Sequence, residues 1–128
     1  MNRRIILTAS LFGAVAVMFG AFGAHSLKNV LSSDQLSSWN TGVQYQFYHT
    51  FALLFLSTFA RFRTKLVDFA YLCFTLGVLL FSGSIYLMAT KEITDIGFAN
   101  IIGPITPLGG LFLIAGWMLL FLAALKNR

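Results

Sequence analysis

RRIILTASLFGAVAVMFGAFGAH, Arg3–His25, is the stretch whose reading decides the fold. Two arginines lead into an uncharged run, Ile5 to Ala24. That run is about the 20 residues an α-helix needs to cross a hydrocarbon layer of roughly 30 Å. A signal peptide also begins with basic residues, and GAFGAHS offers small residues where a peptidase could cut. Signal-peptide cores, however, are shorter, about 7–15 residues. Removal of the run would also leave three spans and a poorer charge pattern. The segment therefore reads as a retained first membrane helix.

The rest of the chain supports this reading. Of 128 residues, 58% are hydrophobic and 10% charged, against about 25% charged in a soluble domain. The charges are confined to short stretches between long uncharged ones. Further spans are predicted at 46–62, 68–88 and 107–125. Seven basic residues fall on one side of this map (Arg3, Arg4, Arg61, Arg63, Lys65, Lys126, Arg128) and two on the other (Lys28, Lys91). Basic loops stay in the cytoplasm, so both termini are expected there. The net charge of +5 follows from orientation, and its scatter beside apolar segments excludes a nucleic-acid stripe. In GPITPLGG, Thr106 is expected to cap the fourth span with Pro107 at its first position. The apolar stretch 96–106, interrupted by Pro104, reads either as a re-entrant segment or as part of a kinked fourth helix.

Lipid gives helices no hydrophobic reason to associate, so small residues that allow close backbone approach mark the seams. The first span carries Ala9, Gly13, Ala16, Gly20 and Gly23 at spacings of three and four. The third carries Cys73, Gly77 and Ser84, and the fourth Gly109, Gly116 and Ala123. The packing candidates are thus Gly13, Gly20, Gly23, Gly77, Gly109 and Gly116. Such a seam serves the bundle itself or, as the alternative, a membrane-protein partner or second copy.

Polar residues gather on the side opposite the basic termini. His25 closes the first span, and Tyr45, Gln46 and His49 enter the second. Ser82, Ser84 and Tyr86 leave the third. Polar groups in a membrane either pair with one another or line a cavity. The group therefore reads as a closed hydrogen-bond network with an aromatic belt, or as a shallow outward pocket. In the latter case His25, Trp39, Tyr45, Gln46, His49, Ser82, Ser84 and Tyr86 bind the ligand. Ser32 and Ser33 are cap candidates for a short amphipathic helix carrying Leu36, Trp39 and Val43, lying on the surface before the second span.

Two histidines, with Asp34, Glu92 and Asp95 nearby, fit no H-x-x-x-H or H-E-x-x-H metal spacing. Axial haem ligation by His25 and His49 would need a cavity too large for so short a bundle. No metal and no cofactor are therefore expected. No carboxylate lies deep in a span, and neither a nucleophile elbow nor a phosphate-binding glycine loop is present. The single cysteine, Cys73, cannot form an internal disulfide and reads as a small core residue. A non-enzymatic protein is expected.

Four motifs together, GAFGAHSL (20–27), W-x5-YQ-x-YH (39–49), LFSGSIY (80–86) and ITPLGGLFLIAGW (105–117), resemble a small YgdD-like bacterial inner-membrane family of unknown function. A mitochondrial transmembrane protein of animals is related to that family. The resemblance covers nearly the whole chain and implies four spans in the plasma membrane, without implying any activity. It singles out Gly20, Gly23, His25, Trp39, Tyr45, Gln46, His49, Ser82, Gly83, Pro107, Gly109 and Gly110.

The expectation is an all-α membrane protein, a four-transmembrane-helix bundle with a short amphipathic surface helix in the first outer loop. Its role is an accessory or structural one in the plasma (inner) membrane. The alternative is a lipid- or small-molecule-binding protein, as an oligomeric transporter, using the outer polar cluster around His25 and His49.

Overall fold

The computed structural model describes residues 2–59, 64–95, 97 and 99–126, and every regular element among them is helical. The order is α1 (Arg3–Ala24), a 3₁₀ turn (Leu27–Asn29), α2 (Ser33–Ser57), α3 (Lys65–Ala89), α4 (Lys91–Thr94), α5 (Ala99–Ile102) and α6 (Ile105–Lys126). Arg61, Arg63, Arg128 and the predicted end of the second span at Phe62 lie outside the described residues. So do Ile96 and Phe98 of the segment read as re-entrant or kinked.

Local chemistry sets the helix starts. The Asn2 side chain accepts from the N–H groups of Arg4 and Ile5 and caps α1. Ser32 and Gln35 form a reciprocal capping box at α2. The Gln35 N–H donates to the Ser32 hydroxyl (3.2 Å), and the Ser32 N–H donates to the Gln35 side-chain oxygen (2.9 Å).

Two boundaries differ from expectation. The predicted surface helix is not a separate element; it is the first part of α2, continuous with the second predicted span. Between Ser33 and Ser57 there is no proline and a single glycine, and Gly42 is buried against Tyr86, so nothing breaks the helix. The apparent junction near residue 45 is a change in what the exposed face meets. Before it stand Ser37, Ser38 and Asn40, and after it Phe51 and Phe55. Helix α6 begins at Ile105, two residues before the predicted start, after a turn at Gly103–Pro104 that separates it from α5. Thr106 and Pro107 are thus the second and third helical residues. Pro107 is still harmless there, because first-turn N–H groups have no partner one turn back.

The four long helices alternate in direction. The Asn2 N–H donates to the Ser57 carbonyl (3.2 Å) while Gly23 abuts Trp39, so α1 and α2 are antiparallel. Gly42 meets Tyr86 and His49 meets Phe74, which sets α2 against α3. Gly109 meets Phe81 and Gly116 meets Phe74, which sets α3 against α6. One end of the bundle therefore carries Arg3, Arg4, Lys65 and Lys126 and is called here the basic end.

The main core joins Ile5, Ala9 and Phe12 to Leu53, Leu56, Val67, Phe74 and Leu113; a second cluster holds Trp39, Val43, Tyr86 and Ala89. Large apolar side chains also cover the outside, among them Leu11, Phe22, Phe55, Leu79, Leu111 and Phe121. Such a surface suits hydrocarbon and not water. Three segments, Arg3–Asn29, Lys65–Ala89 and Asn100–Lys126, are long and apolar enough to cross a membrane.

Candidate functional site

The buried polar side chains come mainly from α2 and face its neighbours on both sides. Gln46, 3% exposed, is the hub. Its amide nitrogen donates to the Phe12 carbonyl of α1 (2.7 Å), and its oxygen accepts from the Tyr86 hydroxyl of α3 (2.6 Å). One side chain thus ties three helices. On the same helix Thr50 donates back to the Gln46 carbonyl (2.7 Å), the local bond that satisfies a buried hydroxyl within a helix.

Around this hub the bonds run between side chains and main chain. Trp39 donates its indole N–H to the Phe19 carbonyl (2.8 Å), and Ser82 donates to the Gly42 carbonyl (2.8 Å). The rings of Phe19, Trp39 and Tyr86 pack together with centroids 4.7–5.2 Å apart. Ser84 donates to the Phe81 carbonyl (3.0 Å) and shares a hydrogen bond with the Thr106 hydroxyl, joining α3 to α6. Tyr45 is more open, 39% exposed, with its ring tilted against Phe81 at a centroid distance of 4.9 Å.

His49 lies deeper than predicted, among Phe74 and Trp117 near the middle of α3 and α6, because α2 enters the bundle as one unbroken helix. Trp117 donates its indole N–H to His49 Nε2 (3.0 Å). An indole can only donate, so Nε2 is the acceptor, and the ring proton sits on Nδ1, which donates to the Tyr45 carbonyl (2.6 Å). The network therefore holds a neutral ring with one tautomer. Trp117 is the member that sequence reasoning missed. Its one signal was a mid-helix indole N–H in need of an acceptor.

His25 does not join the set. It is exposed at the C-terminal cap of α1, where its backbone carbonyl accepts from the Asn29 side chain (3.4 Å). The reason is helical register: Gly23, two residues earlier, holds the α2-facing position against Trp39 and turns His25 aside. The two histidines are thus not brought together.

Apart from the hydroxyls of Thr64 and Thr75, the buried side-chain polar atoms among the described residues all have partners. All four acidic residues, Asp34, Asp68, Glu92 and Asp95, are exposed. A cleft of about 330 Å³ at the end opposite the basic one is lined by Asp34, Gln35, Ser38, Lys91, Glu92 and Thr106, among others. It contains none of the eight residues named from the sequence as ligand-binding; two of them, Gln46 and Tyr86, line an apolar cleft between α1 and α3 instead.

Comparison with known proteins finds relatives that are named membrane proteins. Residues 19–110 match the family described as Protein of unknown function (DUF423). The UPF0382 membrane protein SH2409 of Staphylococcus haemolyticus is 38% identical over 121 residues, covering 94% of each chain. The UPF0382 membrane protein YwdK of Bacillus subtilis is 36% identical, covering 94% of this chain and 95% of its own. The UPF0382 inner membrane protein YgdD of Escherichia coli is 32% identical over 128 residues, covering 99% and 93%. No solved structure matches. With the family matched over most of its length and these relatives along nearly all of it, the chain belongs to the DUF423 family of membrane proteins.

Proposed function

We propose that the chain crosses the plasma membrane four times with both termini in the cytoplasm. In this reading it serves as a non-enzymatic structural or accessory component. The observation that carries this is the closure of the buried polar set: both ends of the Gln46 amide and both nitrogens of the His49 ring are bonded within the protein. A binding pocket built on those groups would leave some of them aimed at a void.

Helix α2 is the fourth span in this reading. It runs antiparallel between two apolar helices, and at 25 residues it is about 37 Å long at 1.5 Å per residue. Its deep polar side chains, Gln46 and His49, are turned onto α1, α3 and α6, while Ser37, Ser38 and Asn40 near its start are exposed. The basic end, with Arg3, Arg4, Lys65 and Lys126, then faces the cytoplasm. The Escherichia coli relative is named an inner membrane protein, and the same membrane is proposed here.

An experimental density map in a lipid nanodisc tests the closure. Protein atoms alone are expected between Gln46 and Tyr86 and between His49 and Trp117; density for a bound molecule there would replace this reading with a binding one. Cysteine labelling at positions 2 and 126 tests the topology, with both expected to react only from the cytoplasmic side.

A further inference from the structure

Helices α1 and α3 run parallel with their N-termini at the same end, yet α1 packs mainly on α2 and α3 mainly on α6, which leaves a furrow between them. At the basic end the furrow opens into a cleft of about 880 Å³ lined by Arg3, Arg4, Leu7, Asp68, Phe69 and Leu72, among others. One turn further along, in line with it, lies a second cleft of about 310 Å³ with an almost wholly apolar lining that includes Leu11, Val15, Phe19, Leu79 and Gly83. The lining positions on α1 follow the helical period (4, 7, 11, 15 and 19), so they form one stripe. A hydrogen bond between the Thr8 and Tyr71 hydroxyls (2.7 Å) joins the two helices between the clefts.

Gly83 is the second observation. A glycine within a helix weakens it relative to alanine and usually has a reason. Gly77, Gly109 and Gly116 each have one, since an added Cβ would meet atoms of the facing helix within 3 Å. Gly83 has none of that kind: nothing lies within 4 Å of where its Cβ would stand, and its φ is not positive. The missing side chain keeps the furrow open.

We infer that the α1–α3 furrow binds one anionic glycerophospholipid from the leaflet at the basic end. Its phosphate sits at Arg3 and Arg4, and one acyl chain runs along Leu7, Leu11 and Val15 toward Gly83. The mouth has the matching charge. Both arginines are exposed, and two guanidinium groups outweigh the single carboxylate of Asp68. Guanidinium forks suit phosphate oxygens, and basic pockets between membrane helices are places where anionic headgroups bind. The furrow supplies what a surface patch lacks, an apolar track for the chain on both sides of the Thr8–Tyr71 bond. Leu7 and Leu79, at 60% and 55% exposed, offer that track to lipid. The inference rests on the spanning arrangement proposed above, but not on which side the termini face or on the closure of the polar set.

The test titrates phosphatidylglycerol or phosphatidylcholine onto delipidated full-length protein in detergent and counts adducts by native mass spectrometry. One phosphatidylglycerol per chain is expected, bound more tightly than phosphatidylcholine. Arg3→Gln and Arg4→Gln should each weaken it about fivefold. Gly83→Leu should reduce the adducts of both lipids, with helix content and thermal unfolding unchanged. If that variant does not fold, Gly83→Ala, whose methyl meets open space, should give a smaller loss in the same direction. Inorganic phosphate at millimolar concentration should not displace the lipid; displacement would mean a soluble-anion site and overturn the inference. Equal retention of both lipids together with indifference to the arginine variants would overturn it as well, and so would adducts unaffected by filling the furrow at Gly83. Labelling that contradicted the four-span reading while these results held would mark that failure as a separate one.

Discussion

The α3–α6 and α1–α2 pairs are held together in different ways. Between α3 and α6 the contact is backbone on side chain and backbone on backbone. A Cβ on Gly109 would fall 2.4 Å from the Phe81 nitrogen, one on Gly77 2.5 Å from Leu113, and one on Gly116 2.7 Å from the Phe74 ring. Between α1 and α2 the approach is looser, and side chains bridge it by donating to carbonyls, Trp39 to Phe19 and Gln46 to Phe12. Both solve the same problem. Lipid is as apolar as leucine, so helices must be joined by tight dispersion contact or by hydrogen bonds. The two solutions fail differently: the first has no tolerance for volume, and the second has little tolerance for loss of a donor.

The largest effect is expected at Gly109. Its added methyl would meet main chain, which cannot swing away, so Gly109→Ala should separate α3 from α6. A loss of about 3 kcal/mol or failure to fold is expected, as overpacking against backbone lies at the costly end of the range. Thermal or SDS-driven unfolding in micelles measures it. A Gly109→Ala protein as stable as the parent would show that the two helices are not in backbone contact.

Gln46→Leu should cost less, about 1–2 kcal/mol, although Gln46 is as deeply buried. The Phe12 carbonyl keeps its helical partner, leaving chiefly the Tyr86 hydroxyl unpaired. Hydrogen bonds between membrane helices are worth about 0.6 kcal/mol on average and up to about 1.7. A double-mutant cycle with Tyr86→Phe isolates the pair, and a coupling of about 1 kcal/mol is expected. Additive single effects would mean that the two side chains do not share the bond seen between them.

Trp117→Phe tests a single donor in the middle of the bundle. The ring contacts with Phe74 and His49 largely survive, while His49 Nε2 loses its partner, so a loss of about 1 kcal/mol is expected. His49→Leu should cost about as much, and the two together should cost less than their sum.

How far the sequence could be read depends on the kind of signal each feature leaves. Apolar length marked α1, α3 and α6 closely, and the cap of α2 was narrowed to Ser32 or Ser33, of which the structure uses Ser32. Helix α2 was split in two because its polar load changes along its length, and hydropathy cannot see that Ser82 and Tyr86 will cover that polarity. Depth along the helices suggested the grouping of Gln46, Ser82 and Tyr86. Rotation around a helix axis did not follow from depth, and this is why His25 was placed with residues from which its helix turns it away. Bonds to main-chain carbonyls, such as those of Phe12 and Phe19, leave no trace in residue type at all.

The smallest effects separate glycines that looked alike in the sequence. Gly13, Gly20 and Gly23 lie in one row of α1, and their pattern alone assigned all three to tight packing. In the structure a Cβ on Gly13 would stand 3.5 Å from Thr50 and one on Gly20 3.6 Å from Val43, which is ordinary contact. A Cβ on Gly23 would stand 2.9 Å from the Trp39 ring and 3.2 Å from Asn40. Helix propensity favours alanine over glycine by up to about 1 kcal/mol at each site. At Gly13 nothing opposes that gain, so Gly13→Ala should leave stability unchanged or raise it by up to about 1 kcal/mol. At Gly23 the methyl must displace Trp39 from its bond to the Phe19 carbonyl, a cost of about 1–2 kcal/mol that outweighs the gain. Opposite signs at two positions ten residues apart on one helix, read in the same unfolding assay, would establish the α1–α2 contact as tight at one end only. A loss at Gly13 equal to that at Gly23 would instead make α1–α2 a close glycine seam like α3–α6.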